Sequence, residues 1–260
     1  MKKLLALLNL LSVILVIGVN YISQALRLND TTIGELSDEY ENLFTPASYA
    51  FAIWGLIFLS LFTYAIFQIK RAFFSDKPAE FITQTSFWFI LANVLNSLWV
   101  IAFVYDYTGL SVLIMLGILG SLIKIILNTR MELKPTSISE KVFVFWPISL
   151  YCGWIAVATI ANISAYLSKL NWNGAFLSPQ QWTITIIVIA FLLNVVVLWK
   201  RKMPVFALVG VWSLFAIYSR HQNSEAMIAM TALVCTILLA VIVVVSGLIK
   251  SEKNNTIVNR

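Results

Sequence analysis

Charge is scarce in this sequence. Only 12% of its 260 residues are Asp, Glu, Lys or Arg, against 60% hydrophobic residues and a mean hydropathy of +0.87. A water-soluble domain keeps about a quarter of its residues charged, so a fully solvated surface is excluded and lipid must cover much of the chain. Ligating side chains are scarcer still. There is one His, His221, and there are two Cys, Cys152 and Cys235, which form no Cys-x-x-Cys pair. No metal-binding cluster can be built from these, and both thiols read as small buried hydrophobes. His221, beside Arg220 in a short connection, reads as a solvated loop residue. No Asp or Glu lies deep in a long apolar run, so a proton relay, a carboxylate ion site or intramembrane acid–base hydrolysis has no residues to use. No nucleophile–base pair or cofactor motif is visible, which makes an enzyme the least supported class and leaves no catalytic residue to name. No internal repeat is evident either, which weighs against an inverted-repeat transporter.

Long apolar runs are abundant. Eight windows of roughly membrane-spanning length contain at most an isolated charge: 4–25, 46–69, 83–104, 108–127, 142–167, 181–199, 204–219 and 226–249. They predict an all-α fold, a polytopic transmembrane helix bundle of about eight spans. Lys124, in the fourth, lies close enough to its end to snorkel. With the amino terminus inside, fifteen of the eighteen Lys and Arg residues fall on the cytoplasmic side, and only Arg27, Lys169 and Arg220 fall outside. Both termini are therefore expected in the cytoplasm and the chain in the cell membrane. The net charge of +6 is accounted for by topology, with membrane lipid as the partner and no nucleic acid. Lys2, Lys3, the first apolar run and Ser23-Gln24-Ala25 also fit a signal peptide; cleavage there would leave seven spans in the same orientation.

The connection 27–45 carries Asp30, Glu35, Asp38, Glu39 and Glu41 and leads to Pro46 at the start of the next predicted helix. Its nineteen residues are long for a tether and admit a lid. The connections 70–82 and 129–141 are polar and each contain one Pro. The stretch 168–180, with Asn171, Asn173, Gly174 and Pro179, is a cluster of helix breakers and divides the chain into blocks 1–171 and 172–260.

Aromatic and amide side chains collect in three spans. Pro46, Tyr49, Phe51, Trp54 and Phe58 crowd one end of the second. Asn93, Asn96 and Trp99 recur at three-residue steps in the third. Pro147, Tyr151, Trp154, Ala158 and Asn162 fall within roughly 80° of one another in the fifth. At about 1.5 Å per residue, Trp54 lies about 12 Å below its helix start, and Asn96 and Trp99 roughly 9 to 14 Å below their helix end. The three clusters thus share a depth beneath the acidic connection and predict a common pocket. Taken singly, each residue reads equally as an interface aromatic or an interhelical amide.

These positions resemble a known family. Thr45-Pro46-Ala47-Ser48-Tyr49-Ala50-Phe51-Ala52-Ile53-Trp54 is similar to the Pro-rich start of the second helix in the TspO/MBR family of tryptophan-rich sensory or translocator proteins. Asn96-Ser97-Leu98-Trp99 resembles that family's third-helix Asn-x-x-Trp. Trp154, Ala158 and Asn162 match its fifth-helix Trp-x-x-x-Ala-x-x-x-Asn, and Leu170-Asn171 its closing Leu-Asn. The resemblance covers about 1–171 and implies a five-helix bundle, with 172–260 as a three-helix extension. It further implies a pocket for a planar hydrophobic small molecule such as a porphyrin or, in some eukaryotic members, a sterol. The binding residues it implies are Pro46, Tyr49, Phe51, Trp54, Asn96, Trp99, Tyr151, Trp154, Ala158 and Asn162. The family's Pro-Tyr before the fifth-helix Trp is absent, since Leu150 holds that place and Pro147 lies a turn earlier. The sterol pattern is incomplete around Ile163, Tyr166 and Lys169, which favours a tetrapyrrole. An uncoupled transporter of a hydrophobic small molecule is the alternative, and turnover of the bound tetrapyrrole a third reading. Gly117 and Ser121, four residues apart, admit a homodimer as readily as packing within one chain.

Overall fold

The computed structural model describes residues 1–40, 42–172 and 174–258, with 250–258 defined by helical backbone alone. Glu41, Asn173 and Arg260 lie outside the described residues, as do the side chains of Lys250 and Lys253. There is no strand among the described residues. The helices are α1 (Lys2–Ala25), α2 (Ile33–Glu39), α3 (Ile53–Phe73), α4 (Glu80–Thr85), α5 (Trp88–Val104), α6 (Thr108–Thr129), α7 (Ile138–Glu140), α8 (Trp146–Lys169), α9 (Pro179–Arg201), α10 (Pro204–His221) and α11 (Ala226–Val258). Among the described residues, six stretches are long and apolar enough to cross a membrane: Lys2–Ala25, Ser48–Phe73, Thr108–Thr129, Ile138–Lys169, Pro179–Arg201 and Ala226–Ile249. α5 and α10, with 17 and 18 residues, are the shorter members of the bundle. The chain is a polytopic helical membrane protein.

The distribution of side chains on α1 shows which solvent the fold expects. Leu4, Leu11, Ile14 and Leu15 are exposed while Asn9, Ser12, Asn20 and Ser23 are buried, the reverse of a helix in water. In lipid the apolar face needs no cover and the polar face must find partners inside.

Helix ends follow local chemistry. Ser178 caps α9 reciprocally with Gln181, and Pro179 and Pro204 occupy first-turn positions where a missing N–H costs nothing. Three predicted spans change shape. The window 83–104 is broken at Ser86, whose φ of 52° separates α4 from α5. The window 46–69 opens with a 3₁₀ turn, Ser48–Ala52, so Pro46 lies before the helix instead of in its first turn. The helix predicted over 142–167 begins earlier, as α7 and a π-helical turn, Lys141–Phe145, that runs directly into α8. Pro147 supplies the reason: its nitrogen cannot donate to a preceding carbonyl, and the wider turn takes up the register.

Two apolar cores result. One joins α1, α3, α5, α6 and α8; the other joins α9, α10 and α11 and takes in Val157 of α8. α10 belongs to both, burying Phe206, Val209 and Ala216 in the first and Ala207, Leu214 and Ile217 in the second. It approaches α8 closely because Gly153 has no side chain: a Cβ there would sit 3.0 Å from Val209 Cβ and 3.2 Å from the Phe206 carbonyl. The block 172–260 is therefore packed directly onto the first five spans. Gly117 and Ser121 are used within the chain, since Gly117 faces Leu95 of α5 and Ser121 is buried.

Candidate functional site

Trp54, in the first turn of α3, is the hub of an aromatic cage. Phe58 and Trp99 stack on it at 5.2 and 6.5 Å between ring centroids, while Tyr151 and Trp154 meet it edge-on at 6.1 and 6.4 Å. Phe51 meets Trp154 edge-on at 5.9 Å, and Phe103 stacks on Trp99 at 5.4 Å. Between these rings, the α8 face of Ala158, Ala161, Asn162 and Ala165, and Pro46, lies a chamber of about 30 Å³. A second chamber of about 270 Å³ shares Ile33, Phe51 and Trp54 with it and extends to Asn20, Tyr21 and Gln24 of α1. Trp54 thus stands in the wall of both chambers.

The polar fittings are uneven. Asn162 Oδ1 accepts from Trp99 Nε1 at 2.9 Å, and Asn162 Nδ2 donates to Ser111 Oγ at 2.9 Å, so Trp99 is locked in place. Trp54 Nε1 and Trp154 Nε1 are buried with no acceptor among the described residues. The cage therefore holds two indole donors in reserve.

The connection 27–45 is folded as a lid. Thr32 and Glu35 form a reciprocal cap on α2, whose Ile33, Leu36 and Ser37 are buried, with Ile33 and Ser37 in the chamber walls. Its ties are polar. Arg27 pairs with Glu35 at 2.8 Å, Arg220 of α10 with Asp38 at 2.7 Å, and Asn29 Nδ2 donates to Val104 O at 2.9 Å. Tyr40 hydrogen-bonds Asp106, which also pairs with Lys169 at 2.6 Å. His221 is buried at the end of α10 with Nε2 2.8 Å from Leu43 O, which corrects its reading as a solvated residue: the folded-down lid covers it.

Of the ten residues the sequence pointed to, Pro46, Phe51, Trp54, Trp99, Trp154, Ala158 and Asn162 line the inner chamber. Three lie elsewhere. Tyr49 is 41% exposed and packs edge-on against Trp212, Asn96 is buried against Asn20 of α1, and Tyr151 backs Trp54 from behind while bonding Ala92 O. Ile33, Ser37, Phe103, Val157, Ala161 and Ala165 complete the wall beyond the sequence expectation. Helical spacing offered a signal for Phe103, Ala161 and Ala165, which continue the faces of Trp99 and Ala158; the lid residues gave none.

A family model described as TSPO-like protein matches residues 6–245. The chain belongs to that family. The match runs beyond the motif-bearing 1–171 through α9, α10 and most of α11, so the TSPO-like pattern includes the helix that fastens the lid. A search of curated proteins and one of solved structures returned no match.

In this TSPO-like chain three of the lid contacts are ionic and hence sensitive to acid. The Arg27 hydrogen bond holds the Glu35 carboxyl below its ordinary value of 4.5. Burial alone would raise Asp106, but hydrogen bonds from Lys169 and Tyr40 bring it below its usual range. Both ties are fully present above the unfolded carboxylate values and are lost as pH falls through the lower folded ones. Hydrogen exchange at the α2 amides, corrected for intrinsic rate, should accelerate below about pH 4 while α6 amides stay protected. Equal protection of α2 at neutral and acid pH would show that the ties do not hold it.

Proposed function

We propose that this protein is a sensory or translocator-type membrane receptor for a planar hydrophobic ligand bearing hydrogen-bond acceptors, a porphyrin or related tetrapyrrole. The observation that carries this reading is the pair of acceptorless indole N–H groups, Trp54 and Trp154, in a cage of stacked and edge-on rings. A buried unpaired donor costs about 1–3 kcal/mol, and a ligand carbonyl, carboxylate or ring nitrogen arriving there removes that cost. Aromatic faces supply stacking area for a flat ring. The chambers are smaller than the roughly 300–1,000 Å³ of small-molecule sites, so a tetrapyrrole enters as α2 lifts and Trp54 turns between them. Titration of the purified protein in nanodiscs with a porphyrin, followed by its absorption band, should give a saturable shift. A linear, unsaturable response equal to that of empty nanodiscs would refute the reading.

We place the lid outside and both termini in the cytoplasm of the cell membrane. The three basic residues that break the charge rule support this, because each is neutralised: Arg27 by Glu35, Lys169 by Asp106 and Arg220 by Asp38. Reporters fused after Lys77, Lys134, Lys202 and Arg260 should read cytoplasmic, and a reporter at Asp38 should read external. An external signal at Arg260 would invalidate this topology.

A further inference from the structure

The interface of α1, α3 and α5 contains a column of amides that the ligand cage does not use. Asn9 Nδ2 donates to Gln68 Oε1 at 2.7 Å, Asn93 Nδ2 to Ser12 Oγ at 3.0 Å, and Asn20 Nδ2 to Asn96 Oδ1 at 3.0 Å. Ser12 Oγ in turn donates to Asn9 O at 2.8 Å, which joins the first two pairs. Asn93 and Asn96 are one turn apart on α5, which joins the second to the third. Asn9, Gln68, Asn93 and Asn96 have no exposed surface at all. Yet Asn9 Oδ1, Gln68 Nε2, Asn93 Oδ1 and Asn96 Nδ2 lack a hydrogen-bond partner among the described residues. The Tyr151 hydroxyl gives its hydrogen to Ala92 O at 3.4 Å, and its oxygen lies beside Asn96.

Turning an amide over does not remove the deficit at Asn9–Gln68, where both partners are amides. Two amides joined by one bond always leave one oxygen and one NH₂ unsatisfied, whichever way each is placed. In hydrocarbon no outside solvent reaches them, and an unsatisfied amide there is costly. The leftover groups also define what would satisfy them: two acceptors and two donors, with no charge. A cation needs about six to eight oxygens and finds two; an anion finds only the two NH₂ groups. Water donates and accepts together.

We propose that the α1–α3–α5 interface is a water-binding seam, with one hydration site at Asn9–Gln68 and another at Asn93–Asn96. At its upper end the seam meets the larger ligand chamber, whose wall includes Asn20. At its lower end Gln68 lies one turn from Arg71, which reaches Ser139 and Glu140 at the opposite end of the bundle. The chamber is thereby connected to a polar column that continues through the apolar body of the protein. This inference rests on the amide pairs alone and stands whether or not the cage binds a porphyrin.

Water-edited solid-state NMR on the labelled full-length protein in lipid bilayers tests it. The side-chain NH₂ groups of Asn9, Gln68, Asn93 and Asn96 should receive water magnetisation several-fold faster than the backbone amides of Ile118 and Leu122, which are equally buried in apolar packing. In a protein carrying both Asn9→Leu and Gln68→Leu, the Asn93 and Asn96 signals should persist, as two separate sites require. Transfer to all four groups as slow as to Ile118 and Leu122 in the parent protein would overturn the proposal. That measurement needs no variant and does not depend on the double substitution folding.

Discussion

Replacing Trp54 by Ala is expected to weaken porphyrin binding about tenfold or more, because the ring that stands in the wall of both chambers and stacks on Phe58 and Trp99 is removed together with a free indole donor. Aromatic contacts contribute about 0.5–1.5 kcal/mol each beyond area, and 1.4 kcal/mol is a factor of ten. The same substitution deletes a hub of the core, where losing a Trp costs about 3–5 kcal/mol. Melting temperature must therefore be read beside affinity. Trp54→Phe separates the effects, since it keeps a ring in the core and removes Nε1. Trp199, 82% exposed, is the neutral control. Trp212 is unsuitable for that purpose even though it lies in the last three helices: its Nε1 donates to Ala50 O at 3.2 Å and its ring supports Tyr49, so Trp212→Ala should disturb the 3₁₀ turn that leads into Trp54. If the Trp54 and Trp154 variants stay folded and bind as tightly as the parent, the cage is packing and not a binding site.

Gly210→Ala is expected to destabilise the protein by about 1–3 kcal/mol, the usual cost of forcing a methyl into a filled interior. A Cβ at this position would lie 2.6 Å from Asn194 Cγ and 2.7 Å from its Nδ2. Asn194 is buried on α9 and donates to Ala190 O at 2.9 Å, so turning it away breaks that bond in an apolar surrounding. The partner of Gly210 thus decides the sign of the effect. In an Asn194→Ala background the added methyl finds room, and the Gly210→Ala penalty should fall to nearly zero. A thermal-melting double-mutant cycle in detergent measures the coupling; strictly additive losses would show that α9 and α10 do not meet at this pair.

The legible part of the site was the part carried by single helices. Trp154, Ala158 and Asn162 share one face of α8 by spacing alone, and that face does line the inner chamber. Asn96, at the right depth on α5, is turned instead toward Asn20, because depth along a helix says nothing about which neighbour a residue faces. The polar positions of α1 carry a signal in the sequence: Asn9, Ser12, Asn20 and Ser23 stand at helical spacing within an otherwise apolar span, and all are buried. The lid was half legible. Its length and acidity were in the sequence, whereas the Arg220 and His221 contacts that fasten it come from more than 170 residues away.

By itself the sequence determined the solvent, the helical class and the placement of the apolar spans, since a chain with so few charges and such long apolar runs can satisfy its backbone in lipid only as helices. It also placed the aromatic clusters at one depth, because helical rise is fixed. Only the tertiary structure decided the rest. Packing joined α10 to both cores through side-chain-free contacts at Gly153 and Gly210, and so fastened the lid from a segment with no visible motif. It set Trp54 in the walls of two chambers and left its indole without an acceptor among the described residues. Those outcomes depend on which helix faces stand against one another, and interhelical packing in lipid is governed by shape and a few polar pairs that no single span specifies alone.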